Sequence, residues 1–223
     1  MILVPVKNFA NAKQRLSAAL DAAERTALAR AMFEDVLAAL AGCSSKPEVS
    51  VVSGDAYAQE VARALGFSII EDGENRSETD AIAMASAICE SQGVKSVMVL
   101  PSDIPLITSA EIEMALARAP GEGTLLVPAG DGRGTNAIRK SPVSLFPLRF
   151  GNDSFLPHLA AARATGKPVV IVELPGIALD VDRPHDLGQL LATSGRTRAQ
   201  RLLAQWNVLD RLQPISQTPP AHA

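Results

Sequence analysis

The sequence predicts an α/β protein: a single domain built on a mostly parallel sheet flanked by helices, with an inserted hairpin. Three observations carry that prediction. Apolar runs of strand length alternate with segments of helical periodicity along most of the chain. Those runs are apolar almost without interruption, as strands covered on both faces must be. At Thr124 the alternation breaks, and a Gly-rich turn separates two short apolar runs before the rhythm resumes. With 223 residues, 47% of them apolar, the chain has ample material for one sizeable core and is not a disordered protein.

Met1–Val6 is the first strand. Ala22–Leu40 follows as a helix, because Leu28, Met32, Val36 and Leu40 recur on one face and Asp21 stands at the N-cap position. Val49–Ser53 is a second strand, and Ala56–Leu65 a second helix stopped by Gly66. Phe67–Ile70 is a third strand, Thr79–Glu90 a third helix, Ser96–Leu100 a fourth strand, and Ser109–Ala117 a further helix. The inserted hairpin lies in Thr124–Ile138, and a proline-punctuated loop runs from Ser141 to Pro147. A helix over Ser154–Thr165 is closed by Gly166, Pro168–Leu174 is another strand, and Pro184–Ala192 completes a domain spanning residues 1–193. Residues 194–212 read as an amphipathic helix with Leu202, Trp206 and Leu209 at i, i+4 and i+7, beside Arg196, Arg198, Arg201 and Arg211. Such a face suits packing on its own domain or on the second copy of a homodimer. Residues 213–223, with Pro219 and Pro220, are expected to be a disordered tail.

Composition narrows the function. The 21 basic and 24 acidic residues leave a net charge of −3, which argues against a nucleic-acid partner and requires a local cluster for any anionic ligand. Cys43 and Cys89 are far apart and lack metal-ligand spacing, so they are expected to be reduced core thiols. The opening apolar run is too short for a signal peptide or membrane anchor, and no later run reaches transmembrane length; a cytoplasmic protein is expected, without a membrane partner.

Parallel sheets bind ligands outside the carboxyl ends of their strands. Pro5–Leu16 carries Lys7, Lys13 and Arg15 after a strand, which suits an anion such as a triphosphate or else a solvated basic loop; it is not a P-loop. Asp103 follows a strand expected to be central, where it suits Mg²⁺ ligation or a turn before proline. In Gly130–Ile138, glycines either form a hairpin turn or bare N–H groups for an anion beside Thr135 and Asn136. In Phe150–Phe155, Asn152, Asp153 and Ser154 offer a helix cap or, with Gly151, an anion site. Asp180 and Asp182 share one face of an extended stretch, and Asp182 also stands at an N-cap position before Pro184. His158, His185 and His222 are scattered, with no Ser–His–Asp order, GxSxG elbow or zinc spacing. Cations, carboxylates and anion-binding turns together fit phosphoryl or nucleotidyl transfer, where positioning and charge neutralisation supply most of the catalysis.

Five segments taken in order, residues 5–37, 97–108, 131–138, 150–169 and 174–191, resemble the 2-phospho-L-lactate guanylyltransferases of coenzyme F420 biosynthesis, including the phosphoenolpyruvate- and 3-phosphoglycerate-using members. The resemblance implies a nucleotidyltransferase (glycosyltransferase-A-like) fold. It implies an enzyme that joins GMP from GTP to a phosphorylated three-carbon acid with Mg²⁺, releasing pyrophosphate. Carried over residue by residue, Lys7, Lys13 and Arg15 hold the GTP phosphates, with Lys13 and Arg15 steadying the leaving group. Asp103, Asp180 and Asp182 bind Mg²⁺, and Thr135, Asn136, Gly151 and Ser154 line the acid pocket. Where members commonly carry Gly-Leu-Asn near the base, this chain reads Ser77-Glu78-Thr79-Asp80; Glu78 or Asp80 either accepts from the guanine or caps the third helix. The same chemistry would also serve a nucleotidyltransferase with another acceptor or base, such as a sugar phosphate, methylerythritol phosphate or the molybdenum cofactor. A nucleotide-binding protein without catalysis is the remaining alternative.

Overall fold

The computed structural model describes residues 1–74, 76–151 and 153–212. Asn152, His222 and the expected tail over 213–223 therefore lie outside the described residues.

Among the described residues, seven strands form one sheet: β1 (Ile2–Pro5), β2 (Val49–Val52), β3 (Ser68–Ile70), β4 (Val97–Val99), β5 (Gly123–Pro128), β6 (Thr135–Ser141) and β7 (Val169–Ile171). Their order is β3-β2-β1-β4-β6-β5-β7. β1 pairs parallel with β2 and β4, β2 with β3, and β5 with β7; β6 runs antiparallel to both of its neighbours. The inserted hairpin is thus β5–β6, and its second strand lies inside the sheet.

Successive strand residues face opposite sides, so each strand serves two cores. Ile2, Val4, Met98, Leu125 and Val127 join α1 (Ala22–Ala41), α2 (Ala56–Ala64) and α4 (Ser109–Arg118) on one face. Leu3, Val97, Val99, Leu126 and Ile138 join α3 (Glu78–Ser91) and α5 (Phe155–Ala164) on the other. Cys43 and Cys89 are free and buried, as expected. Asp21 caps α1 in a reciprocal box with Glu24. Among the described residues no helix is long and apolar enough to cross a membrane.

The structure corrects several local expectations. Residues 5–16 are not an open polar loop: Phe9–Asn11 and Gln14–Leu16 form two 3₁₀ turns, with Phe9 and Leu16 anchored in the core. A short helix, α6 (Pro175–Ala178), follows β7, where the apolar run had been read as strand to Leu174. Asp182 is not the cap of α7 (Pro184–Ala192); Arg183 holds that position, and the Asp186 carboxylate accepts from the N–H groups of Asp182 and Arg183.

Residues 194–212 are two helices, α8 (Arg198–Gln205) and α9 (Val208–Leu212), broken at Asn207 with φ 52°. The face that packs is Ala199, Leu203 and Val208, while Leu209 is exposed. Trp206, which had suggested a homodimer, rests partly buried against the chain's own core. Leu202 also packs there, so the stripe holds through α8 and loses Leu209 beyond the break at Asn207. Asp35, buried in α1, accepts from the Arg198 and Ala199 N–H groups at 2.8 and 2.9 Å and so caps α8 across the domain. Asp35→Ala is expected to cost about 1–2 kcal/mol, read as a thermal midpoint lowered by about 2–4 °C per kcal/mol with turnover retained.

Candidate active site

The carboxyl ends of β1 and β4 open onto a cleft of about 210 Å³ whose polar lining includes Lys7, Lys13, Asp72, Glu78, Ser102 and Asp103. Each reaches it for a local reason. Lys7 follows β1 directly, while Lys13 sits between the two 3₁₀ turns in the left-handed region (φ 55°, ψ 39°). That conformation is uncommon for a side-chain-bearing residue. It turns the Lys13 side chain back under the cleft, where only 9% of it is exposed. Asp103 lies in the loop leaving β4, and its carbonyl accepts from Val181 N–H at 3.0 Å. That bond joins the loop after β4 to the stretch carrying Asp180 and Asp182.

Lys13 Nζ stands 2.5 Å from Asp103 Oδ2 and 2.7 Å from Asp182 Oδ1, and Arg15 Nη1 is 3.5 Å from Asp182 Oδ2. Burial opposes the charge on Lys13, but the two carboxylates outweigh it and hold its pKa above the ordinary lysine value. Burial likewise opposes the charge on Asp182, yet Lys13 and then Arg15 hold its pKa below the usual carboxylate range. Asp180 differs: burial raises its pKa, partly offset by a 3.0 Å hydrogen bond from Asn136 Nδ2.

Among the described residues, no group of three or more His, Cys, Asp and Glu side chains stands ready to hold a metal ion. Asp103 and Asp182 converge on an ammonium, and Asp180 is tied to an amide.

The acid-pocket residues divide. Asn136 Nδ2 is engaged with the Ile177 and Ala178 carbonyls as well as with Asp180, so this side chain clamps the 177–180 turn. Thr135 and Ser154 are buried and joined, Thr135 N–H donating to Ser154 Oγ at 3.1 Å. Gly151 is exposed with φ 141°. The glycine turn does not bare its N–H groups to an anion as the sequence allowed. Gly130 N–H donates to Ala178 O, Gly132 N–H to Ala129 O, and the Arg133 and Gly134 N–H groups to the Asp131 carboxylate. Nor does Asp153 cap α5; its carboxylate pairs with Arg133, and Ser154 holds the cap position without a capping side-chain bond.

The structure also separates the two acids before α3. Asp80 is exposed and accepts from Ser77, with which it caps the helix, so its expected place at the base is not supplied. Glu78 lines the cleft. Burial, then the nearby Asp103, pushes its pKa up to about 7, with Lys7 and Lys13 acting against the shift. A carboxyl raised in the folded state costs nothing below its unfolded pKa and progressively more as pH rises toward 7. Glu78→Gln should therefore raise the thermal midpoint by a few degrees at pH 8 and leave it unchanged at pH 4, in chelator-treated protein.

Lys7 and Lys13 thus share the cleft at the strand ends with Asp103, and Lys13 also meets Asp182. The family described as "Guanylyl transferase CofC like" matches residues 1–211. The chain belongs to this CofC-like family. It is 40% identical over 204 residues to the phosphoenolpyruvate guanylyltransferase of Roseiflexus castenholzii, covering 92% of this chain and 93% of the relative. It is 36% identical over 201 residues to the 2-phospho-L-lactate guanylyltransferase of Methanothermobacter thermautotrophicus, covering 90% and 88%. A crystal structure from Desulfovibrio desulfuricans, described as a candidate nucleotide-diphospho-sugar transferase, superposes with a TM-score of 0.76 at 23% identity, covering 94% of this chain and 96% of that one. A nucleotidyl transferase from Methanothermobacter has the same architecture, with a TM-score of 0.58 at 16% identity and coverage of 92% and 99%. The CofC-like chain is thus a guanylyltransferase by family, and it shares its fold with these solved structures.

What sequence reading missed at the site of this CofC-like enzyme is the supporting layer: the clamp role of Asn136, the cap made by Asp186, and the burial of His158. Of these only Asp186, at the fourth residue after Asp182 in a helix's first turn, left a recognisable signal.

Proposed function

We propose that this chain transfers GMP from GTP to a phosphorylated three-carbon acid, releasing pyrophosphate, with Mg²⁺, in coenzyme F420 biosynthesis. The observation that carries the reading is Lys13, a buried cation held between Asp103 and Asp182 at the carboxyl ends of a parallel sheet. Lys7 and Arg15 add exposed positive charge beside it, matching the polyanionic donor. The donor set fits Mg²⁺, which takes one or two carboxylates and completes its shell with water and substrate phosphates rather than an all-protein cage. Asp103 and Asp182 would hold it, with Asp180 behind them; when bound, it neutralises charge on the phosphates of the transferring nucleotide.

The chain's own residues do the rest. Lys13 donates to the phosphates from a fixed position, and Arg15 steadies the pyrophosphate as charge develops on it. Thr135 and Ser154 seat the acid so that its phosphate oxygen lies in line with the α-phosphorus. That oxygen is anionic at neutral pH and needs no general base. Both nitrogens of His158 are engaged elsewhere, consistent with a mechanism that takes no proton. Glu78 lines the cleft, and its carboxylate accepts from the purine's N–H groups in this reading.

The test is an acceptor panel: GTP and Mg²⁺ with 2-phospholactate, phosphoenolpyruvate or 3-phosphoglycerate, following pyrophosphate. Release with one acid is expected. Silence with all three overturns the acceptor class, and equal turnover with ATP overturns the assignment of the donor.

A further inference from the structure

His158, which takes no part in the chemistry above, lies in the first turn of α5 and is 2% exposed. Its Nε2 is 3.0 Å from the Arg149 backbone nitrogen, and its Nδ1 is 3.0 Å from Thr135 Oγ1. A backbone N–H can only donate, so Nε2 must be the acceptor of the ring. The ring proton therefore belongs on Nδ1, and it is given to the Thr135 hydroxyl oxygen. The opposite tautomer would set two N–H groups against each other at Arg149. Burial, and then the charge of Lys140, hold the His158 pKa down at about 4, so the ring is neutral at physiological pH.

The consequence falls on Thr135. Its Oγ1 accepts from His158, and its own hydroxyl proton has no acceptor among the described residues. Ser154 Oγ is in the same condition, accepting from Thr135 N–H at 3.1 Å. Two adjacent buried hydroxyls thus accept from the protein and keep their protons for a ligand. A carboxylate or phosphate, which can only accept, is the complementary group. The same ring also fixes the start of the 149–151 loop, its edge meeting Phe150 at 5.4 Å between centroids.

We propose that His158 is a positioning residue: by donating from Nδ1 it fixes the Thr135 hydroxyl as a hydrogen-bond donor to an anionic oxygen of the acid substrate. This rests on the reading that Thr135 and Ser154 hold that acid, and it adds what sets the direction of their hydrogen bonds. Amide replacements separate the two bonds of the ring. His158→Asn places an amide donor near the Nδ1 position and loses the Nε2 acceptor. His158→Gln places an acceptor near the Nε2 position and loses the donor to Thr135.

The experiment measures KM for phosphoenolpyruvate, or for whichever acid of the panel turns over, and KM for GTP. His158→Gln is expected to raise the acid KM about tenfold, with the GTP KM unchanged, and His158→Asn to recover most of that loss. In a Thr135→Val background, His158→Gln should raise the acid KM no further. Equal effects of the Asn and Gln variants, or a Gln effect that persists without the Thr135 hydroxyl, overturn the proposal while leaving the acid pocket intact. If Thr135→Val alone leaves the acid KM unchanged, the pocket reading fails and takes the proposal with it. A measurement on the unaltered protein does not depend on any variant folding: long-range ¹H–¹⁵N spectra at neutral pH should report the Nδ1–H tautomer for His158. An Nε2–H or doubly protonated ring overturns the assignment.

Discussion

Lys13→Met is expected to lower turnover by about a hundred- to a thousandfold, the loss typical of one preorganised donor at a transferring group, while making the free protein a better Mg²⁺ binder. The two effects have one cause. In the resting site the ammonium stands 2.5 Å from Asp103 and 2.7 Å from Asp182, where it neutralises both carboxylates and competes with a divalent cation for them. Methionine keeps the length of the side chain and removes its charge. Asp103 and Asp182 are then left with only the exposed Arg15, 3.5 Å from Asp182, to offset their charge, an arrangement that favours either protonation or a metal ion. Calorimetric titration of Mg²⁺ into nucleotide-free protein, beside steady-state kinetics, checks both halves. Unchanged Mg²⁺ affinity would remove the competition from the account, and retained turnover would remove the role of Lys13.

The same substitution has a pH signature. Asp182 is depressed in the folded protein, so its contribution to stability is complete above the ordinary carboxylate pKa and is lost as pH falls through the depressed value. Lys13 is raised, so its contribution is complete below the ordinary lysine pKa and is lost as pH rises through the raised value. The destabilisation by Lys13→Met should therefore be largest between roughly pH 5 and 10. Thermal unfolding of the two proteins across that range reads the difference directly.

Asp182→Ala should reduce pyrophosphate release to below about one-thousandth of the unaltered protein and leave the fold in place. Among the described residues its side chain pairs with the cations Lys13 and Arg15, while its backbone N–H is held by Asp186 at 2.9 Å whatever the side chain. Lys13 keeps Asp103 as a partner, so no buried charge is orphaned. Turnover within tenfold of the unaltered protein, with an unchanged melting profile, would exclude Asp182 from the reaction. Asp186→Ala is the informative contrast: it removes no side chain from the cleft, and its effect should appear in the thermal midpoint.

Much of this architecture could be read from the chain because the two cores impose different periods on it. Strands such as Val97–Val99 are apolar on both faces, and α1 keeps Leu28, Met32, Val36 and Leu40 in a line. Boundaries through α4 therefore fell within a residue of the observed ones, whereas the strand read to Leu174 ends at Ile171 and the helix over 194–212 is broken in two. Lys13, Asp103 and Asp182 were legible as residue types at strand ends, but their mutual contact depends on the left-handed turn at Lys13, which no local pattern announces. Asp80 and Glu78 looked equivalent because both open a helix; only the angular position around α3 places one in the cleft and the other in solvent. The glycine hairpin misled because Asp131, itself part of the motif, captures the N–H groups the glycines were expected to expose.

The contact between Lys13 and Asp182 closes a span of 169 residues, and that between Lys13 and Asp103 a span of 90. Contacts of such separation form late, because the entropy of closing the intervening chain must be met before they contribute anything. The lining of the cleft and the Lys13–Asp103 pair are complete by residue 103, so a partial fold built on the first four strands and the loop after them contains both and lacks only Asp182. The second carboxylate joins when the stretch before α7 docks beside the loop after β4, through the bond from Val181 N–H to the Asp103 carbonyl. During synthesis this delays the meeting of Asp182 with Lys13 until most of the described chain has been made.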